Sequence, residues 1–159
     1  TKGWKLIIEN FGREILQTGG QIDRAKLGAI VFANEAKRQL LNSIVHPLVY
    51  EAQNSWLADR ELENPQNIAV IDAALMIESG GYKRFDKLIV VWCLPEIQLE
   101  RLKIRNNLSE IEALKRINSQ MPQDEKKAYA DYLIDTSEGF EATKNQTIEI
   151  YRQLQLFSK

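Results

Sequence analysis

Apolar residues along this chain change their period near residue 67, and that change points to a fold combining helices with a buried parallel sheet. Before it, Trp4, Ile7, Ile8, Phe11 and Ile15 recur at helical spacing and predict an amphipathic helix against a core. Thr18-Gly19-Gly20-Gln21 reads as a turn. Asp23 is a good N-cap for a second helix carrying Leu27, Val31 and Phe32, and Asn34 can cap a third, with Leu40, Leu41, Ile44 and Val45 on its inner side. Proline disfavours the helical conformation of the residue before it, so a break or kink is expected at His46-Pro47, followed by helix through Val49, Trp56 and Leu57. Residues 61–67 are polar, contain Pro65 and read as a loop.

After the change, Asn67–Asp72 and Asp86–Cys93 are short, continuous apolar runs, the pattern of strands covered on both faces. Tyr132–Asp135 is a third strand candidate. Pro95 opens a helix that extends to Asn106, and Ser109 with Glu112 forms a capping box that opens another. Pro122 starts a short helix, and Phe140, Thr147, Ile148, Tyr151 and Leu154 belong to a final one. The expected architecture is α/β, an open sheet with a helical insertion or lid.

Composition narrows the function. The 159 residues fit one domain, and 44% apolar with 27% charged residues excludes a disordered, collagen-like or disulfide-scaffold chain. A net charge of −1 gives no general attraction to nucleic acid or to an anionic membrane. The longest apolar run, Leu88–Leu94, falls far short of the roughly 20 residues that span a bilayer. Thr1–Glu14 lacks a basic start followed by an apolar block, so no leader is expected there. Cys93 and His46 are the single cysteine and the single histidine, which excludes an internal disulfide and a His- or Cys-rich metal set. Cys93 lies in an apolar run, and a reduced, buried thiol fits a cytoplasmic protein.

Few residues carry candidate chemistry. Asp72 ends an apolar run, and carboxylates at strand ends of open α/β folds can orient a hydroxyl or the waters of Mg²⁺. Arg101 and Arg105, four apart, share a helix face and can receive phosphate oxygens; Arg116 lies one helix later. His46 can bond a ligand or satisfy a helix break. The 159 residues contain no Gly-Lys dipeptide, hence no phosphate loop, and no Gly-x-Ser-x-Gly elbow.

An ordered series of segments resembles the dephospho-CoA kinase family. Phe11-Gly12, Gly20-Gln-Ile-Asp-Arg24, Leu27-Gly28 and Val31-Phe32 resemble its early signature, and Ile44-Val-His-Pro-Leu48 its His-Pro segment. Asp72-Ala-Ala-Leu-Met-Ile-Glu78 is similar to its Asp-x-Pro-Leu-Leu-Phe-Glu stretch. Gln98-Leu-Glu-Arg-Leu-Lys-Ile-Arg105 resembles its Gln-x-x-Arg-Leu-x-x-Arg lid helix. Arg116-Ile-Asn-Ser-Gln120 and Ala130-Asp-Tyr-Leu-Ile-Asp135 complete the series. Ala74 and Thr136 depart from the family's usual Pro and Asn.

The resemblance implies a three-layer P-loop kinase fold with an open parallel sheet. It also implies transfer of the γ-phosphoryl group of ATP, with Mg²⁺, to the ribose 3′-hydroxyl of dephospho-CoA. By resemblance, Asp72 and Arg105 are catalytic, and Arg101, Arg105 and Arg116 bind ATP. Asp23, Arg24, His46 and Leu75 lie where dephospho-CoA is received. Residues 1–64 form the helical substrate region, and 65–159 the sheet core with a lid at about 101–128. The family's opening strand, phosphate loop, helix and acidic strand end have no counterpart after Thr1, which reads as a fragment. The chain as given is therefore expected to be inactive and only marginally stable, because the first strand would lie between the runs at 68–72 and 88–93. A non-catalytic CoA- or nucleotide-binding remnant and another nucleoside-monophosphate kinase relative are the alternatives.

Overall fold

The computed structural model describes residues 1–157, which divide into two units, Thr1–Asn67 and the residues from Ile68 onward. In the first unit, α1 (Lys2–Phe11) is opened by Thr1, whose hydroxyl accepts from the Trp4 N–H. It ends earlier than the apolar spacing predicts. Gly12 takes φ +83°, where a side chain is strained, and a Cβ there would collide with the Glu14 carboxylate. A 3-10 turn at Arg13–Ile15 follows, then an antiparallel bridge between Leu16 and Ile22 around the expected glycine turn. The Trp4 indole donates to the Gly20 carbonyl at 3.0 Å and fixes that turn on α1.

Asp23 caps α2 (Arg24–Ala33) as expected, its Oδ1 accepting from the N–H groups of Ala25 and Lys26. Asn34 likewise caps α3 (Glu35–Glu63) through the Lys37 N–H. The core is Phe11, Ile15, Leu27 and Val31, lined by Ile7, Ile22, Ile30, Leu40, Leu41 and Ile44.

Two expectations for α3 are corrected. The helix runs through Pro47 without ending, so His46 lies within it rather than at a break. The missing proline N–H costs one intrahelical bond, to the Ser43 carbonyl, and a helix of 29 residues tolerates that loss. The helix also continues to Glu63, two residues short of Pro65, so only the end of the predicted 61–67 loop is non-helical.

The second unit contains β1 (Ile89–Trp92), α4 (Pro95–Asn106), α5 (Glu110–Asn118), α6 (Gln123–Lys127), β2 (Tyr132–Asp135) and α7 (Phe140–Phe157). The sheet has two parallel strands, with Ile89 opposite Tyr132 and Trp92 opposite Asp135. The strand expected at 68–72 is not formed: residues 68–73 have no regular structure and Val70 is 68% exposed. A strand exists by pairing, and the apolar run has no ladder partner among the described residues. Pro95 occupies the first turn of α4, and Ser109 with Glu112 closes both halves of a capping box on α5. Cys93 is buried, with a free thiol.

The short ladder is closed by side chains. At its start, Asp131 accepts from the Leu88 N–H at 2.8 Å and from the Lys87 ammonium at 3.0 Å. The Leu88 N–H first, and Lys87 second, hold this carboxyl below the usual range. At the far end the Leu94 N–H donates to the Ser137 hydroxyl. The Asp135 N–H and carbonyl, facing away from β1, are met by the two ends of the Gln146 amide at 2.9 and 2.8 Å. Gln146 thus occupies the place of a ladder neighbour on the outer edge of β2.

Two outcomes are expected. Ile15 is fully buried, and Ile15→Ala should cost about 3 kcal/mol through lost burial and a residual cavity; urea unfolding of the first unit measures it. Asp131, Asp135 and Glu112 all have carboxyl pKa values below the ordinary one. A depressed folded-state value adds stability above the unfolded pKa and loses it as pH falls through the folded value. Thermal midpoints should therefore hold from neutrality to about pH 5 and fall below about pH 4. Asp131→Asn should lower the neutral midpoint and flatten the acid limb.

Candidate functional site

The C-terminal end of β1 is where the second unit gathers its polar side chains. Parallel strands deliver their helices and loops at that end, which is where open α/β folds present ligands. The chain leaves β1 at Cys93 and Leu94 and turns directly into α4, whose first internal bond runs from the Gln98 N–H to the Leu94 carbonyl. Arg101 and Arg105 are therefore fixed two and three turns beyond a strand end.

The two arginines have different partners. Arg101 lays its fork on Thr136, Nη1 donating to the hydroxyl at 2.9 Å and Nη2 to the carbonyl at 2.7 Å. The Thr136 hydroxyl in turn donates to the Trp92 carbonyl, so Arg101 ties α4 to the ends of both strands. Arg105 is exposed, and its Nε donates to the neighbouring Asn106. Arg116 is exposed in the last turn of α5, which packs on α4.

Beside β1 lies a cleft of about 200 Å³. Its walls are Asp72–Ala74, Met76 and Ile77 on one side and Leu88–Val91 on the other, with Lys126 reaching in from α6. Asp72 is exposed at the end of the irregular stretch, and Leu75 is half exposed in the turn that follows it. Thus Asp72 and β1 share one cleft, whereas Arg101, Arg105 and Arg116 belong to the α4–α5 pair.

Two elements of this site carry no sequence signal of their own. Gln123 accepts from the Cys93 N–H at 3.1 Å and donates to Gln98 on α4 at 2.7 Å, joining α6, the end of β1 and α4. Lys126 pairs with Glu78 at 2.7 Å, across 48 positions of sequence. Burial raises the Glu78 pKa, but bonds and charge from Lys126 and the Met121 N–H outweigh it and hold the carboxyl below the usual range. Only Glu78 belongs to a recognisable motif; the partners of Gln123 and Lys126 are set by the fold.

In the first unit, Asp23 spends its carboxylate on the α2 cap, and Arg24 is exposed at the next position. His46 is half-buried on α3, its ring tilted against Tyr50 with centroids 6.2 Å apart. Among the described residues no three acidic, histidine or cysteine side chains form a metal cage. The lone Asp72 carboxylate suits Mg²⁺ carried in by a nucleotide's phosphates, since that ion keeps most of its waters and needs one or two carboxylates.

The family model for dephospho-CoA kinase (CoaE) matches residues 1–141. The dephospho-CoA kinase of Listeria monocytogenes serotype 4b (strain F2365) is 41% identical over 153 residues, 96% of this chain and 76% of that protein. The dephospho-CoA kinase of Bacillus licheniformis is 46% identical over 143 residues, covering 90% and 71%. Among solved structures, dephospho-CoA kinase from Campylobacter jejuni superposes with a TM-score of 0.66 at 26% identity, covering 96% of this chain and 76% of that one. TT1252 from Thermus thermophilus reaches a TM-score of 0.73 at 22% identity, covering 95% and 80%, and shares the fold. With the family model matching most of its length, and relatives above 40% identity aligned over nine-tenths of it, this chain belongs to the dephospho-CoA kinase family, a family of phosphotransferases.

Proposed function

We propose that this chain serves the transfer of the γ-phosphoryl group of ATP to the ribose 3′-hydroxyl of dephospho-CoA. The observation that carries the reading is the placement of Arg101 and Arg105 on a helix that rises straight from the end of a parallel strand, with Asp72 beside the same strand. Phosphoryl transfer asks mainly for positioning and charge neutralisation, and those residues supply both. Arg105 meets ATP phosphates with its planar fork. Arg101, braced on Thr136, offers its remaining N–H groups, and Arg116 adds charge from α5. Asp72 is the residue that would hold Mg²⁺ arriving with ATP; the ion supplies neutralisation of the phosphate charge.

In this reading residues 1–64 receive dephospho-CoA through Asp23, Arg24 and His46. Residues 65–159 form the sheet core, and about 101–128 close over ATP as a lid. The net charge of −1 gives no general attraction to nucleic acid, and no described helix is long and apolar enough to cross a bilayer. A cytoplasmic setting is supported by the buried, unpaired Cys93.

The 159 residues contain no Gly-x-x-x-x-Gly-Lys-Ser/Thr loop to cradle the β- and γ-phosphates, so they are expected to bind without turnover. The gene sequence upstream of Thr1 is read first. Next, calorimetry with dephospho-CoA and a coupled assay for CoA are run on the 159-residue polypeptide and on the protein with everything its gene encodes upstream. Binding without CoA from the former and CoA from the latter is expected. CoA from the 159 residues alone overturns their inactivity. Binding with no CoA from either protein leaves a non-catalytic remnant, and preference for a nucleoside monophosphate points to another kinase of this fold.

In the protein that turns over, Arg105→Ala should lower kcat/KM for ATP on the order of 100-fold, as for loss of one preorganised charge-stabilising donor. Its thermal midpoint should stay unchanged, because the Arg105 side chain is exposed and, among the described residues, bonds its neighbour Asn106.

A further inference from the structure

We infer that the Glu78–Lys126 ion pair is a positioning device that holds the Asp72 loop against α6, and through Gln123 sets it relative to the lid helix α4. The inference rests on the role proposed above for Asp72. It begins from a mechanical problem. Residues 68–73 have no regular structure, and the turn at 74–80 is held internally by bonds such as Ser79 N–H to the Leu75 carbonyl and Gly80 N–H to the Ile77 carbonyl. Such local bonds shape a turn; they do not fix where it stands. An exposed carboxylate at its entrance takes a defined place only if something distant grips the turn.

The grip comes from one segment. Lys126 meets Glu78 at 2.7 Å, the Met121 N–H donates to the same Glu78 oxygen, and Tyr129 packs edge-on against Tyr82 with centroids 5.5 Å apart. All three partners flank or belong to α6. The pair's side chains, 15% exposed for Lys126 and 23% for Glu78, are less open to water than those of the other ion pairs of this unit. Lys126 also lines the cleft that Asp72 borders.

The same short helix is also tied to the framework around β1. Gln123 bonds the Cys93 N–H and the Gln98 amide, and Lys127 lies 3.6 Å from the centre of the Trp92 ring. One short helix therefore grips the Asp72 turn with Lys126 and the end of β1 with Gln123 and Lys127. The separation between the Asp72 carboxylate and the start of α4 is set by this double attachment. Reactions that depend on alignment lose rate when one group drifts by about 1 Å, even where its affinity for substrate is unchanged.

The test uses the protein as its full gene encodes it, with four variants: Glu78→Gln, Lys126→Met, the double variant, and Lys126→Arg, which retains the charge. Hydrogen exchange is followed at 74–82, with 89–92 and 132–135 as the internal reference, and kcat and KM are measured for both substrates. Each single variant should speed exchange at 74–82 about tenfold, leave the strands unchanged, and lower kcat about tenfold with KM within about twofold. The double variant should cost no more than either single, and Lys126→Arg should restore both readouts. Unchanged exchange at 74–82, equal acceleration in the strands, additive losses in the double variant, or an unaltered kcat in the single variants would each overturn the inference. If the parent protein does not phosphorylate dephospho-CoA, the reading of Asp72 falls with it, and the exchange comparison alone decides whether the pair holds the loop.

Discussion

The second unit depends on a parallel ladder of only four residue pairs. Parallel bonds are slanted and slightly weaker per residue than antiparallel ones, and two strands alone do not make a stable sheet. The ladder persists because side chains complete what backbone leaves open. Asp131 takes the first free N–H, Ser137 takes a later one, Arg101 and Thr136 bind the two strand ends together, and Gln146 fills the outer edge of β2. Each of these bonds relieves a backbone group that burial would otherwise penalise.

The same closures locate the chemistry. Arg101 braces the sheet and stands on the helix that carries Arg105, so the brace and the proposed phosphate recognition are drawn from one short stretch of α4. Gln123 and Lys126 perform a comparable double task for α6, which is bonded both to the end of β1 and to the turn after Asp72. The arrangement explains why so small a sheet can support a site: its positioning comes from cross-linked side chains more than from the extent of the ladder.

Much of this was readable along the chain where the signal is local. Asp23, Asn34 and the Ser109–Glu112 box mark helix starts because a side-chain oxygen meets N–H groups two or three residues away. Pro95 follows the same rule of nearby cause. Local patterning failed where the outcome depends on a distant partner. Ile68–Asp72 has the composition of a strand, yet only a neighbouring strand can make it one. Pro47 is expected to break or kink its helix, and α3 continues through it unbroken. Arg101 looked like a free phosphate receptor from its spacing to Arg105, and its hold on Thr136, 35 positions later, has no trace in that spacing. The ordered motifs identified the family because they sample the whole chain at once; Gln123, Lys126 and Gln146 stayed invisible because a glutamine or lysine on a helix has no pattern that names its partner.

Gln146 also guards an edge. An exposed strand edge is a template on which another strand can add, and natural sheets protect such edges. The amide covers Asp135 on the outer edge of β2 while α7 packs along that strand. The glutamine that finishes a four-residue ladder therefore also denies that end of β2 to an added strand.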